Sequence, residues 1–177
     1  KMSEQFDVTV IGSRPGGYVC AIRCAQLGLK TAVVEKSPTY GGTCLNIGCV
    51  PTKTLIAATE VLHTARHAAD FGIKISGDVT PDWPAMMDRK NDIIGKLRGG
   101  IGSLLKAAGV TVLNGTGSFI DRKTIAVTGG NDDGSVIKAE NTIIATGSEA
   151  LVPGFIPESK RILTSTELLS IEKIPKS

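Results

Sequence analysis

The chain opens on an apolar run, Asp7 to Ile11, with little alternation of polar and apolar positions. Strands buried on both faces read as such runs. A glycine-rich turn, Gly12 to Gly17, follows, and Tyr18 to Leu27 reads as a helix ended by Gly28. Thr31 to Glu35 is a second, β-branched strand. Two parallel strands need a crossover, so this stretch predicts a βαβ unit over residues 7–35. A loop containing Gly41, Gly42 and Gly48 comes next, and a helix starts near Pro51 and runs to about His67.

A short apolar stretch, Phe71 to Ile75, precedes a turn-rich segment from Gly77 to Pro84. Ile93, Ile94, Leu97, Ile101, Leu104, Leu105 and Ala108 then form the apolar stripe of a long helix. Its glycines Gly95, Gly99, Gly100 and Gly102 each cost roughly 1 kcal/mol against Ala, which suggests close packing against a neighbour. The remainder is strand-rich: Val110 to Leu113, Phe119 to Ile120, Thr124 to Val127, a turn over Gly129 to Gly134, Ser135 to Lys138, and Asn141 to Ala145 as the last apolar strand. A short helix is predicted near Ser165 to Leu169. The pattern is that of an α/β fold, a parallel sheet with helices carrying a small antiparallel β-meander over about 117–140.

Composition narrows the picture. The chain has 177 residues, 41% hydrophobic and 21% charged, with 21 glycines. These values suit one globular domain, with or without an appendage. The net charge of +3 is small and the basic residues are scattered, so nothing marks a nucleic-acid partner. No apolar stretch is long enough for a membrane span, and Lys1 to Gln5 lack the apolar core of a secretory signal. Four cysteines at irregular spacing do not make a secreted disulfide scaffold. The expectation is a cytoplasmic protein with a working cysteine pair.

The turn Gly12-Ser13-Arg14-Pro15-Gly16-Gly17 lies between a strand and a helix, and Glu35 ends the next strand. That is the Rossmann arrangement, in which helix amides attract a pyrophosphate and a carboxylate accepts both ribose hydroxyls. Gly12 and Gly17 hold the first and third glycine positions. Arg14 holds the second, where glycine normally lets the backbone approach the pyrophosphate. A Cβ and a long side chain there are expected to crowd the ligand and weaken its binding.

The strongest signal is Gly41-Gly42-Thr43-Cys44-Leu45-Asn46-Ile47-Gly48-Cys49-Val50-Pro51-Thr52-Lys53. Five residues of regular helix rise about 7.5 Å, beyond the usual Cα span of a disulfide. A bond between Cys44 and Cys49 therefore needs a distorted turn, which Gly48 permits. So small a loop adds little stability and suits redox cycling. Cys49 sits near a helix start, where the dipole favours a thiolate.

This run resembles the redox motif of the class I flavoprotein disulfide reductases, and the resemblance extends from Asp7 to Lys176. It implies a Rossmann-like FAD-binding domain. Cys44 would exchange with the substrate disulfide and Cys49 would face the flavin. Gly12, Arg14, Gly17, Glu35, Lys36, Gly42, Thr43, Lys53, Gly117, Ala145, Thr146 and Gly147 would line the FAD site, with Glu35 on the adenosine ribose, Lys53 by the flavin ring and Gly117 at the adenine end. Thr52 stands where the glutathione reductase type usually has Lys. The Pro-Thr-Lys ending is more similar to bacterial dihydrolipoamide dehydrogenases. The resemblance then implies lipoyl domains of 2-oxo acid dehydrogenase complexes as partners, a homodimeric parent and NAD as its second cofactor. Mercuric or glutathione reductase activity, or a non-catalytic flavin-binding module, are the alternatives. Residues 1–177 would be the FAD-binding portion of such a parent, without its NAD-binding and interface domains and inactive alone.

Other candidates are weaker. Cys20 and Cys24 share a helix face but lack zinc-ligand spacing, and read as buried core residues. His63 and His67 read as an exposed helix face. Arg98-Gly99-Gly100 lacks the lysine of a phosphate loop. Trp83 reads as a core or loop anchor.

Overall fold

The computed structural model describes residues 4–175. Lys1 to Ser3 at the polar start, and Lys176, where the resemblance ends, lie outside the described residues. The elements are β1 (Glu4–Ile11), α1 (Pro15–Gln26), β2 (Thr31–Glu35), α2 (Gly42–Ile47), α3 (Cys49–Arg66), a 3-10 turn (Ala68–Phe71), α4 (Trp83–Ala107), β3 (Thr111–Asn114), β4 (Thr116–Phe119), β5 (Thr124–Thr128), β6 (Ser135–Ile144) and α5 (Ser165–Leu168). They fall into two compact units. One comprises the residues up to Cys44 together with Leu97–Glu149; the other comprises Leu45–Lys96 and the residues from Ala150 onward.

The first unit is built on one six-stranded sheet, in the order β3-β2-β1-β6-β5-β4. β1 pairs in parallel with β2 and β6, and β2 with β3. β4–β5 and β5–β6 are antiparallel. Every residue of β2 is buried, as is β1 from Phe6 apart from Asp7, which is why both read as apolar runs. Phe6, Ile11, Ala32, Val34, Ile125, Val127 and Ile137 make one cluster. The cluster draws on β1, β2, β5 and β6, so the parallel and antiparallel halves share a core, and each of its buried Val, Ile and Phe side chains contributes roughly 1.5–3 kcal/mol. α1 starts with Pro15 just inside its first turn, where the missing N–H costs nothing.

The meander is thus part of the main sheet, and the expected strands 135–138 and 141–145 are one strand of ten residues. Lys138 and Glu140 interrupt the apolar run but lie on the exposed side, while Ile137 and Ala139 point into the core. Residues 42–47, expected as loop, are helical. Phe71 ends the 3-10 turn and is 74% exposed, so the stretch after it packs little apolar surface. Of the α4 glycines, Gly95, Gly99 and Gly100 would have nothing within 4 Å of an added Cβ, whereas one on Gly102 would meet Tyr40 Cε2 at 3.3 Å. Close packing therefore explains one of the four.

The second unit holds α3, the 3-10 turn, the first part of α4 and α5. Trp83 Nε1–H donates to Ile171 O at 3.1 Å, the anchor expected of it, and Lys90 Nζ donates to Leu169 O at 2.7 Å. Burial pushes the Lys90 ammonium below the usual lysine range. Among the described residues no helix is long and apolar enough to cross a membrane.

Candidate functional site

The glycine turn is fixed by backbone approach. Gly12 N–H donates to Val34 O at 2.8 Å, and Ala145 N–H donates to Ile11 O at 2.8 Å. Gly12 has φ +100°, and a Cβ on it would stand 2.5 Å from Ala145 O. A Cβ on Gly17 would stand 2.0 Å from Gly12 O and 3.2 Å from Ala145 Cβ. The first and third positions of the fingerprint thus take glycine so that strand, turn and helix can close on the segment Ala145-Thr146-Gly147.

Glu35 is 7% exposed and ends β2 beside this turn. Its Oε2 accepts from the Ser13 N–H and the Ser13 hydroxyl, both at 2.6 Å, and its Oε1 from the Ser37 N–H at 2.8 Å. Each carboxylate oxygen has two acceptor positions. Oε1 therefore keeps one for a sugar hydroxyl, where two ribose bonds were expected of this residue. Asn114 faces Glu35 across the β2–β3 pairing, and its Nδ2 donates to Glu35 O at 3.2 Å and Ser37 O at 3.3 Å. A cavity of about 190 Å³ opens here, lined by Glu35, Ser37, Tyr40, Asn114 and Asn131 among others. Ser13 and Asn114 escaped sequence reading. The pairing of their strands and turn with Glu35 is the signal that would have found them. Gly117 in β4 packs without a Cβ over Val34 Cγ1 and Ile11 Cγ2, which a Cβ would meet at 3.2 and 3.4 Å.

Arg14, the departure from the fingerprint, is the N-cap of α1, with φ −67° and ψ 171°. Its guanidinium Nη1 donates to Thr43 Oγ1 and to Ser148 O, both at 2.6 Å. The stem runs between two glycines. A Cβ on Gly42 would stand 2.2 Å from Arg14 Cγ, and one on Gly147 would stand 2.0 Å from Arg14 Cδ and 2.2 Å from Arg14 Nε. Next to it, Lys36 Nζ donates to Glu149 Oε1 at 2.8 Å. That bond and the lysine charge hold the Glu149 carboxyl below the usual carboxylate range, and the Arg14 charge adds a smaller pull.

The cysteine segment is two helices in sequence. α2 carries Cys44; α3 begins at Cys49, which is exposed. Gly48 separates them with φ −146° and ψ −110°, outside the helical region. The distorted turn that the spacing demanded is therefore at Gly48. Among the described residues no disulfide joins any of the four cysteines. Lys53 is exposed one turn beyond Cys49 on α3, where residues four apart are neighbours. Cys20 and Cys24 are half-buried rather than core residues, with their sulfurs 4.0 Å apart. Burial, then the Cys24 contact, push the Cys20 thiol up. His63 and His67 stack with centroids 4.1 Å apart, and His67 is exposed. Among the described residues no group of three or more His, Cys, Asp or Glu could hold a metal ion.

The groove brings Gly12, Arg14, Gly17, Glu35, Gly42, Thr43, Ala145, Thr146 and Gly147 together in the first unit. At its adenosine end it fits a dinucleotide: a buried carboxylate, a cavity beside it, and a glycine turn at a helix start. At the diphosphate it does not fit with Arg14 where it lies, because Arg14 holds the fingerprint position at which glycine lets the backbone approach a diphosphate, and its stem lies against Gly42 and Gly147.

The chain is similar to known proteins over nearly its whole length. The dihydrolipoyl dehydrogenase of Chlamydia trachomatis is 47% identical over 178 residues, which cover 99% of this chain and 37% of that protein. The mitochondrial dihydrolipoyl dehydrogenase of Schizosaccharomyces pombe is 48% identical over 177 residues, covering 97% and 34%. A leghemoglobin reductase of Glycine max is 43% identical over 176 residues, covering 98% and 34%. The chain thus spans about a third of the length of these curated relatives. The family described as pyridine nucleotide-disulphide oxidoreductase matches residues 6–177. With a six-stranded sheet, a glycine turn closed on Ala145-Thr146-Gly147 and a cysteine at each of two consecutive helices, the chain belongs to the pyridine nucleotide-disulphide oxidoreductase family.

Proposed function

We propose that this chain is the dinucleotide-binding and redox-cysteine portion of a dihydrolipoyl dehydrogenase. In the longer protein, dihydrolipoamide and NAD⁺ give lipoamide, NADH and a proton, with FAD as resident cofactor. Lipoyl domains of 2-oxo acid dehydrogenase complexes present the substrate to a homodimer. The observation that carries this reading is the Gly41–Lys53 segment, with its helix break at Gly48 and exposed Cys49, in a chain whose relatives include dihydrolipoyl dehydrogenases.

The chemistry assigned to this chain is thiol–disulfide exchange. In the oxidised state Cys44 and Cys49 share a disulfide. A substrate thiolate attacks Cys44 Sγ, the S–S bond breaks, and Cys49 leaves as the thiolate. The second substrate thiol then displaces Cys44, and lipoamide departs with its own disulfide closed. Two electrons now reside on the cysteine pair.

Peptide mapping without reductant after mild oxidation tests the assignment. The expected product is a Cys44–Cys49 disulfide with Cys20 and Cys24 still thiols, and one equivalent of dihydrolipoamide reopens it. A Cys20–Cys24 bond, or Cys44 and Cys49 left as thiols, overturns the reading.

A further inference from the structure

We propose that Arg14 is an internal counter-cation seated where a dinucleotide's diphosphate would lie, so that the cofactor binds by competing with this side chain. The inference rests on the reading of the groove as a dinucleotide site and goes beyond it, since it names what sets the affinity.

Three observations carry it. The stem is enclosed, with Gly42 and Gly147 leaving between them a slot that Arg14 Cγ, Cδ and Nε fill. The head is fixed, since Nη1 donates to Thr43 Oγ1 and Ser148 O at 2.6 Å each. The charge is answered locally, because Glu149 stands close enough for Arg14 to help depress its carboxyl, with Lys36 the main cause. The guanidinium therefore ties the glycine turn to the Gly42-Thr43 and Gly147-Ser148 segments, and it does so with bonds to neutral acceptors.

A diphosphate entering this slot must displace the stem. It also offers the guanidinium a better partner, because arginine prefers bidentate phosphate oxygens to a hydroxyl and a carbonyl. The two effects oppose each other, and geometry decides between them. The slot is bounded by backbone at both glycines, so the stem and the diphosphate cannot share it. The arginine has to leave the slot before it can pair with the ligand from outside, and both of its bonds are broken in doing so. The crowding lies mainly beyond Cβ: the place of a Cβ on Gly42 is 2.2 Å from Arg14 Cγ and 3.0 Å from Arg14 Cβ, and that of a Cβ on Gly147 is 2.0 Å from Arg14 Cδ and 2.2 Å from Nε.

That distinction sets the experiment. FAD is titrated by flavin fluorescence into the 177-residue chain, Arg14→Ala and Arg14→Gly, with circular dichroism melts confirming that each is folded. Both variants are expected to bind FAD at least tenfold more tightly than the parent chain, and within about threefold of each other. Arg14→Ala matching the parent while Arg14→Gly binds tightly overturns the proposal, because the Cβ would then be the obstacle. Equal saturable binding by all three overturns it and leaves the dinucleotide reading intact. Saturable binding by none of them overturns both.

Discussion

Gly16 and Gly17 stand side by side at the start of α1, and only one of them has to be small. A Cβ on Gly17 meets the carbonyl oxygen of Gly12 at 2.0 Å, while a Cβ on Gly16 has nothing within 4 Å. Backbone at the turn cannot yield without losing the Gly12 N–H bond to Val34 O. Gly17→Ala is therefore expected to destabilise the chain by about 1–3 kcal/mol, the usual cost of forcing atoms into a packed site. Gly16→Ala should be neutral or stabilising by up to about 1 kcal/mol, since Ala is the better helix former. Urea denaturation of the two variants checks this. Equal midpoints, or a less stable Gly16→Ala, would sink the account. The same scale shows what a sequence reader cannot see. Arg14 stands out in the sequence as an irregular residue, but its slot is made by Gly42 and Gly147, far along the chain. Nothing local to Arg14 announces that its stem packs there or that Thr43 and Ser148 accept from it.

Among the elements, β1 and β6 lie side by side with Thr9 opposite Thr142. Thr9 is fully buried. Neither hydroxyl has a hydrogen-bond partner. A buried hydroxyl without a partner costs about 1–3 kcal/mol, and Val has the same branched shape and strand preference. Thr9→Val is expected to raise stability by about 1 kcal/mol in a denaturant titration. A loss of more than about 0.5 kcal/mol would mean that the hydroxyl is satisfied and the argument fails. These strands also show where sequence patterning works. β2 was legible to its ends, Thr31 and Glu35, because a strand covered on both faces writes its burial as an unbroken apolar run. β6 was not, because it is flanked by an antiparallel neighbour over its first half and by β1 along most of its length. Its exposed Lys138 and Glu140 look like a loop when read alone. α2 was missed for another reason. Six residues beginning with glycine are too few to show a helical period.

The molecule as a whole divides its regular structure unevenly. All six strands belong to the first unit, where each is hydrogen-bonded to at least one neighbour. The second unit contains two long irregular stretches, residues 72–82 and 150–163. In the later one, Leu151 is 88% and Phe155 86% exposed, and at the head of the earlier one Phe71 is 74% exposed. A protease needs a segment that can leave its place and extend, and segments with few buried contacts do so at low free-energy cost. Both stretches are held by a few local bonds: Ile156 N–H donates to Pro153 O at 2.9 Å and Ile162 N–H to Ser159 O at 3.1 Å in the later one. Arg66 Nε donates to Val79 O at 3.0 Å in the first. The Trp83 and Lys90 side chains hold Ile171 O and Leu169 O, beyond the end of the second stretch. The Leu and Phe residues within the strands of the sheet unit, Phe6, Leu113 and Phe119, are reached only by breaking ladder bonds. Chymotrypsin at a low ratio is therefore expected to cut first after Phe71, Leu151 or Phe155, with mass spectrometry assigning the earliest products. A first cut after Phe6, Leu113 or Phe119, inside the strands, would show that the sheet opens more readily than these stretches. In that case the buried strands could not be the stable frame on which the groove is built.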